Sequence, residues 1–198
     1  MTVPRLLWRK VLAATVDTLR GRSRGQYDIR LARPAGIEDF FAGLPRTSTE
    51  LGGYNIQVPI ADAESPIFVP ATSMTVAYIG PQSARADWRI PSQRPDTAYP
   101  LWREGVGLLP ETQAGTDFVS LVRDPEDAFH ARWLRPDDVA ALPATIGERM
   151  ARGTAGVEWI DPAQWSRVAA LLGIAHADRG PSREIGRASC RERVCLLV

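Results

Sequence analysis

The chain has 198 residues, of which 44% are hydrophobic and 24% charged, so it can bury one good core and one domain is the default expectation. Residues 1–183 carry 21 basic and 21 acidic side chains. This neutral balance excludes strong non-specific attraction of the whole chain to nucleic acid, so any such contact needs local clustering of charge. Both cysteines lie beyond residue 183, which excludes a disulfide framework in the rest of the chain.

The first half of the chain predicts one helix followed by several short strands. Apolar residues recur at helical spacing over residues 4–19, and the glycines of GRSRG end that pattern. Residues 27–32, YDIRLA, alternate as a strand does, and GIEDFFAGLP predicts a short turn or helical piece. Residues 53–60, 66–70 and 74–80 are three β candidates. Their prolines favour edge strands or bulges.

The second half contains the clearest hairpin. DFVSLVRD and AFHARWL are alternating runs joined by a polar turn, with Phe129, Ala131 and Trp133 on one face and His130, Arg132 and Leu134 on the other. Short helices are predicted over residues 135–153, and GVEWI predicts a small strand. A last helix is predicted to start at Asp161-Pro162 and to end at Gly173, with an apolar stripe formed by Trp165, Val168, Leu171 and Leu172.

Many short strands with few, short helices predict an α+β domain. We expect a twisted, partly open β-barrel or sheet of short strands with flanking helices. Residues 65–84 are uncharged, but three prolines exclude a membrane-spanning helix there. The N-terminal pattern is interrupted by charges that a signal peptide does not tolerate. A soluble, cytoplasmic protein is therefore expected.

Most catalytic and metal-binding patterns are missing from the sequence. His130 and His176 are too few for a histidine-rich metal centre, and no phosphate-binding glycine loop or nucleophile elbow occurs. Lys10 is the only lysine and is predicted to lie in a helix, which argues against the common restriction-nuclease core. Carboxylate pairs such as Asp137-Asp138 stand at turns or helix starts, where capping explains them. The sequence therefore favours neither catalysis nor a cofactor, and no metal site is expected.

The positive signal is RADWRIPSQRPDTAYPLWR, residues 85–103, in which arginines alternate with aromatic residues. Guanidinium groups bind phosphates or guanine edges and flat aromatic rings stack on bases, so this composition suits a nucleic-acid surface. The alternative is that the aromatic residues are core and the arginines are solvated. A second arginine group is Arg20, Arg22 and Arg24 in the GRSRG loop, where glycines would let backbone amides approach an anion; an ordinary solvated turn is the alternative.

The order of these motifs resembles a known family. A tryptophan, then RPDTAYP, LP, FVSLVRD and FHARWL, is similar to the B3-like DNA-recognition domains of certain type II restriction endonucleases, over about residues 85–159. The resemblance implies an open β-barrel that grips the major groove of double-stranded DNA with arginine-bearing arms. It implies that the contact residues are Arg89, Arg94, Tyr99, Arg103, His130 and Arg132. We expect the arginines among them, together with His130, to converge on one exposed, locally positive surface. The N-terminal third of the chain carries no feature of that family, which leaves a different family open.

The C-terminal tail is interpreted separately. EIGRASCRERV, residues 184–194, resembles the translation of a sequencing-library adapter, so residues 184–198 are expected to be an artefactual tail on a single domain, residues 1–183, that is truncated at its C-terminus. The alternative is a biological tail in which Cys190 and Cys195 pair and the arginines touch phosphate. The spacing C-x4-C fits no zinc knuckle.

Three functions remain open from the sequence. The first is a sequence-specific DNA-binding module of a restriction-modification or related defence system, with a nuclease on the missing C-terminal part or on another chain. The second is an atypical nuclease segment with a lysine-free centre. The third is a non-enzymatic protein-interaction domain.

Overall fold

The computed structural model describes residues 2–22, 29–32, 34–45, 53–61, 68–79, 87–90, 102 and 114–174. The strands within them are β1 (Arg5–Lys10), β2 (Ile29–Ala32), β3 (Gly53–Ala61), β4 (Phe68–Ile79), β5 (Asp87–Ile90), β6 (Phe118–Arg123), β7 (Phe129–Leu134) and β8 (Ala155–Trp159). The α-helices are α1 (Ala13–Leu19), α2 (Ile37–Phe40), α3 (Pro136–Ala141), α4 (Ala144–Arg152) and α5 (Trp165–Leu171), and a 3-10 turn, Pro162–Gln164, precedes α5. The α+β class is confirmed. The tail from residue 184 lies outside the described residues.

The described strands form two four-stranded antiparallel sheets, and neither closes into a barrel. Sheet A has the order β7-β6-β1-β8, and sheet B has the order β2-β5-β4-β3. Sheet A is the middle layer of the fold. On one of its faces, Leu7, Leu121 and Phe129 share a core with sheet B and helices α1 and α2. On its other face, Leu6 and Trp8 share a second core with helices α3, α4 and α5.

The N-terminal segment corrects the predicted helix over residues 4–19. Residues 5–10 form the strand β1, and only Ala13–Leu19 is helical. The reason is that β1 lies between β6 and β8 with apolar side chains on both faces: Leu6 and Trp8 are buried in one core and Leu7 in the other. A strand that is buried on both faces loses the alternation that distinguishes it from a helix.

Sheet B confirms the expected effect of proline. The candidates over residues 66–70 and 74–80 belong to one long strand, β4, which pairs with β3. The register shifts where Val58 pairs with Thr72 and Ile60 pairs with Val69. Pro59 lies in this irregularity on β3, and Pro70 lies in it on β4. A bulge is a position where proline costs no ladder hydrogen bond.

The C-terminal half agrees with the predicted elements. Strands β6 and β7 form the hairpin in the register Phe118↔Leu134 to Arg123↔Phe129, and the two faces of β7 are those expected. The side chain of Asp161 accepts a hydrogen bond from the amide of Ala163 at 2.9 Å, as an N-cap does. Gly173 ends α5 with a φ of 60°.

Candidate nucleic-acid interface

Two buried tryptophans lie within the arginine-rich segment, residues 85–103, near its two ends. Trp88, on β5, is 4% exposed, and Trp102 is fully buried. The indole N–H of Trp102 donates to the carbonyl oxygen of Arg132 on β7 at 3.2 Å. Both tryptophans belong to the core between the two sheets. For these two residues the alternative given above, that the aromatic residues of the segment are core residues and do not stack on bases, is confirmed. The chain between them is thereby held to the scaffold at both ends.

Four of the predicted contact residues lie outside the described residues. They are Arg24, Arg94, Tyr99 and Arg103. Arg22 is described and exposed, and its backbone amide donates to the carbonyl oxygen of Asp17 at 2.7 Å just after α1. Arg20, in the same loop, is half-buried.

Arg89 is buried, which corrects the expectation that it lies on an exposed surface. Its residue exposure is 8%, and it stands in sheet B between Arg30 of β2 and Ala77 of β4. Its neighbours Trp88 and Ile90 face the core shared with sheet A. Because side chains alternate along a strand, the side chain of Arg89 belongs to the other face of sheet B.

Arg132 lies on β7, on the face of sheet A that packs against the C-terminal helices. Its Nε donates to the carbonyl oxygen of Leu172 at 2.5 Å, and one terminal nitrogen donates to that of Gly173 at 3.1 Å. The other terminal nitrogen donates to the carbonyl oxygen of Ala131 at 2.7 Å. The guanidinium therefore caps the C-terminal end of α5, where a cation is also favoured by the helix dipole.

His130 lies on the same face of β7 and holds the hairpin turn. Its Nε2 is 2.9 Å from Oδ2 of Asp124, with both side chains largely buried. Oδ1 of Asp124 accepts the backbone amides of Glu126 and Ala128 at 2.9 and 2.8 Å. Burial raises the pKa of Asp124, but the hydrogen bond from His130 and those from the two amides outweigh it, so the pKa is lower than its usual value.

The described members of the predicted contact set do not converge. Arg89 belongs to the outer face of sheet B, whereas His130 and Arg132 belong to the face of sheet A that is turned away from sheet B. The expectation that these three form one positive surface is wrong, because sheet A and a hydrophobic core separate them. The two β7 side chains are also engaged in bonds within the fold.

Sequence reasoning missed the arginine that ties the hairpin to α2. Arg123 is 4% exposed, and one of its terminal nitrogens donates to the carbonyl oxygens of Phe40 and Ala42 at 2.8 and 2.7 Å. Its Nε donates to Asp127 at 2.8 Å. The only signal in the sequence was its place in a run of buried strand residues, since an arginine there must find partners inside the fold.

The predicted position of Lys10 in a helix, which was an argument against a restriction-nuclease core, is wrong. Lys10 is the last residue of β1, not part of a helix, and its ammonium lies 5.5 Å from the ring centroid of Phe118. Asp117, the residue before β6, accepts a hydrogen bond from the indole N–H of Trp133 at 2.7 Å and lies 3.6 Å from Arg135. Among the described residues, no group of three or more His, Cys, Asp or Glu is placed to hold a metal ion.

The capping explanation of the carboxylates holds for Asp138, whose side chain accepts the backbone amide of Arg135 at 2.8 Å. In the part of the chain that is described, no helix has the length and apolar character needed to cross a membrane. In comparisons with known proteins, no family model matches the chain and no curated protein matches it. The B3-like resemblance therefore stays a prediction.

Proposed function

We propose that this chain is a sequence-specific binding module for double-stranded DNA in a restriction-modification or related defence system. The DNA contacts are assigned to Arg94 and Tyr99, which lie between Trp88 and Trp102, and to Arg103, which directly follows Trp102. Arg22 and Arg24 of the GRSRG loop supply a second basic group. The open β-barrel implied by the B3-like resemblance belongs to this proposal, with the two packed antiparallel sheets as its walls.

The observation that carries the proposal is the burial of both flanking tryptophans. The segment that carries Arg94 and Tyr99 follows Trp88, which is buried in sheet B, and ends at Trp102, which is buried and bonds to β7 of sheet A. Binding residues are disproportionately found on loops that a rigid scaffold positions. Arginine forks that are held in place can read guanine edges in the major groove.

Two of the predicted contact residues, Arg132 and His130, are engaged in hydrogen bonds within the fold, and in this proposal they support the scaffold. Arg132 supplies the carbonyl oxygen that receives Trp102 and uses its guanidinium to hold α5. His130 holds the turn of the β6–β7 hairpin through Asp124. Both residues position the scaffold that carries the loop, so their substitution is expected to affect stability first.

The test is a fluorescence anisotropy titration with random and selected duplexes at two salt concentrations. Arg94→Ala and Arg103→Ala are compared with Arg167→Ala, which removes the same charge from an exposed position on α5. Loss of a base-edge contact is expected to cost about 1–3 kcal/mol for the selected duplex only, whereas loss of a phosphate contact weakens binding to all duplexes and flattens the salt dependence.

Three outcomes would contradict the proposal. The first is no salt-dependent binding at low ionic strength, which leaves the protein-interaction alternative. The second is an equal effect of Arg94→Ala, Arg103→Ala and Arg167→Ala, which removes the assignment to this segment. The third is cleavage of plasmid DNA by the purified chain with magnesium, which supports the nuclease alternative instead.

A further inference from the structure

A cleft of about 620 Å³ runs along the outer side of β8, at the end of sheet A. Its floor is formed by residues 155–158 of β8 and by Trp8. One wall is a helical stripe of α4, with Thr145, Glu148, Arg149 and Arg152 at the spacing of a single face. The other wall is formed by Pro34 and Ala35. We call this feature the edge cleft.

The hydrogen bonds between β1 and β8 show which main-chain groups face the edge cleft. The amide of Lys10 donates to the carbonyl oxygen of Thr154 at 2.8 Å, and the amide of Ile160 donates to that of Pro4 at 2.9 Å. Hydrogen-bonded pairs alternate with non-bonded pairs in an antiparallel ladder. Residues 156 and 158 therefore face β1 with their main-chain groups, and residues 155, 157 and 159 turn theirs away from it.

Within the described part of the chain, no strand pairs with the outer side of β8. The sequence of β8, AGVEW, also has none of the lysines or prolines that blunt edge strands in many proteins. The outward amides and carbonyl groups of residues 155 and 157 thus stand at the floor of the cleft, and those of residue 159 continue the row along β8. This is the arrangement that a sheet uses to accept an added strand.

The two walls decide which partner fits. On the α4 side, Glu158 is only 7% exposed in its side chain and is bonded to Arg149 at 2.8 Å. The side chains that reach solvent from α4 are Arg149 at 70%, Arg152 at 82% and Glu148 at 64%. The α4 side of the cleft therefore carries two arginines and two glutamates and is neutral in total, and Arg152 is its most exposed charged group. The bond between Arg152 and Glu148, at 3.4 Å and exposed, is easily exchanged.

Pro34 and Ala35, the residues of the opposite wall that the structure describes, are uncharged, and Gly36 brings this loop against Val157. A second copy of the chain fits poorly, because each β8 is recessed between two walls that would collide. A single extended segment can enter. Its side chains would alternate between the α4 wall and the wall that contains Pro34 and Ala35, because successive residues of a strand point to opposite faces.

We propose that the edge cleft binds an extended peptide segment by strand addition to β8. The segment places an acidic side chain toward Arg152 and small apolar side chains toward Pro34 and Ala35. This site is distinct from the segment proposed to contact DNA and does not depend on that proposal. Its occupant is a protein partner with an exposed acidic and apolar strand.

The test uses the full chain and a fluorescein-labelled, capped peptide of sequence VEVTV as the probe. Val157→Pro removes an outward amide without touching the bonds to β1, and edge positions of this kind tolerate proline. Val157→Ala is the matched control, because it shortens the side chain and keeps the amide. The proline variant is expected to bind the probe about tenfold more weakly than the alanine variant, since a main-chain hydrogen bond is lost.

The contribution of charge to binding is tested by reversing one charge on the protein and one on the probe. Arg152→Glu is expected to weaken binding of the acidic probe and to improve binding of a VKVTV probe, because the partner charges are then swapped on both sides. Hydrogen exchange of the unsubstituted protein gives a readout that needs no variant. The amides of residues 155, 157 and 159 are expected to exchange fast in the free protein and to slow at saturating probe.

Several results would overturn the proposal. Equal affinity of Val157→Pro and Val157→Ala for the probe would exclude main-chain pairing. If the proline variant does not fold, the unsubstituted protein decides: hydrogen exchange at the three amides that does not slow at saturating probe would exclude pairing as well. Binding of N-acetylglutamate amide as tightly as the pentapeptide would show an anion pocket instead of a strand site. None of these measurements involves DNA, so failure here is separate from failure of the proposed function.

Discussion

Arg132 and Leu172 join the hairpin to the last helix: Nε of Arg132 donates to the carbonyl oxygen of Leu172 at 2.5 Å, across the core beneath α5. The carbonyl groups at the end of a helix have no partner within it, and a guanidinium can satisfy two of them at once. The β6–β7 hairpin is therefore tied to the C-terminal end of α5.

Substitution of Arg132 tests this role. We expect Arg132→Ala to lower the free energy of unfolding by about 1–3 kcal/mol, because two carbonyl groups lose a charged donor. Arg132→Lys should recover only part of the loss, since an ammonium cannot reproduce the planar fork. Urea unfolding followed by circular dichroism measures both, with Arg167→Ala as a control on α5. Equal stability of Arg132→Ala and Arg167→Ala would contradict the assignment.

Asp124 gives a pH-dependent prediction. Burial raises its pKa, but the hydrogen bonds from His130 and from two backbone amides lower it by more, so the folded pKa lies below the usual 3.8. The ionised carboxylate therefore stabilises the fold above the unfolded pKa, and this contribution is lost as the pH falls through the folded pKa.

We expect Asp124→Asn to destabilise the protein near neutral pH by about 1–3 kcal/mol, because a charged acceptor of three hydrogen bonds is replaced. The difference from the unsubstituted protein should shrink as the pH is lowered below about 4, where protonation removes the same charge. Urea titrations across this range measure it. A difference that is constant with pH would show that the charge of Asp124 does not stabilise the turn.

Leu172 tests the packing of α5. It is 4% exposed and lies with Trp165, 6% exposed, in the core beneath sheet A. Leu172→Ala is expected to cost about 2–5 kcal/mol, as truncation of buried leucines does. Thermal unfolding of this variant is compared with that of Leu12→Ala, because Leu12 is 38% exposed. Similar melting temperatures for the two variants would mean that α5 does not pack as described.

Gly156 tests the approach of Trp8 to β8. A Cβ at Gly156 would lie 2.7 Å from two indole carbons of Trp8, and the indole is buried at 2% exposure. Gly156→Ala is therefore expected to destabilise the fold by about 1–3 kcal/mol through overpacking. The double variant Gly156→Ala/Trp8→Leu should lose less free energy of unfolding than the sum of the losses in the two single variants. Additive losses would indicate that the two residues do not interact.

The tail gives the last prediction. Deletion of residues 184–198 is expected to leave the melting temperature unchanged, because the adapter-like sequence is not expected to belong to the domain. Differential scanning calorimetry of the shortened and full chains measures it. A drop of several degrees on deletion would show that the tail packs into the fold.

Local sequence patterns predicted the C-terminal half of the fold well. The alternation in Phe129, Ala131 and Trp133 is that of a strand with one face in each core, and the sequence Asp161-Pro162 marks a helix start that the structure confirms. The N-terminal strand was missed because Leu6 and Leu7 are both buried, on opposite faces. Alternation carries no information where both faces are apolar.

The candidate site was less predictable for a different reason. Composition shows that a segment is rich in arginine, but it does not show where each guanidinium finds its acceptors. Arg132 finds them at the end of α5, and Arg123 finds them in the carbonyl groups of Phe40 and Ala42. Arg89 is buried in sheet B. Such partners are distant in sequence, so only the fold reveals them.

The central position of β1 in sheet A has a consequence for synthesis on the ribosome. β1 is made first, yet both of its neighbours, β6 and β8, lie more than a hundred residues later in the chain. At about 5–20 residues per second, the first strand waits on the order of ten seconds before either partner is made. During that time its apolar side chains and both of its edges are exposed to other nascent chains. Chaperone capture of the N-terminal segment during synthesis is therefore expected to raise the yield of folded protein.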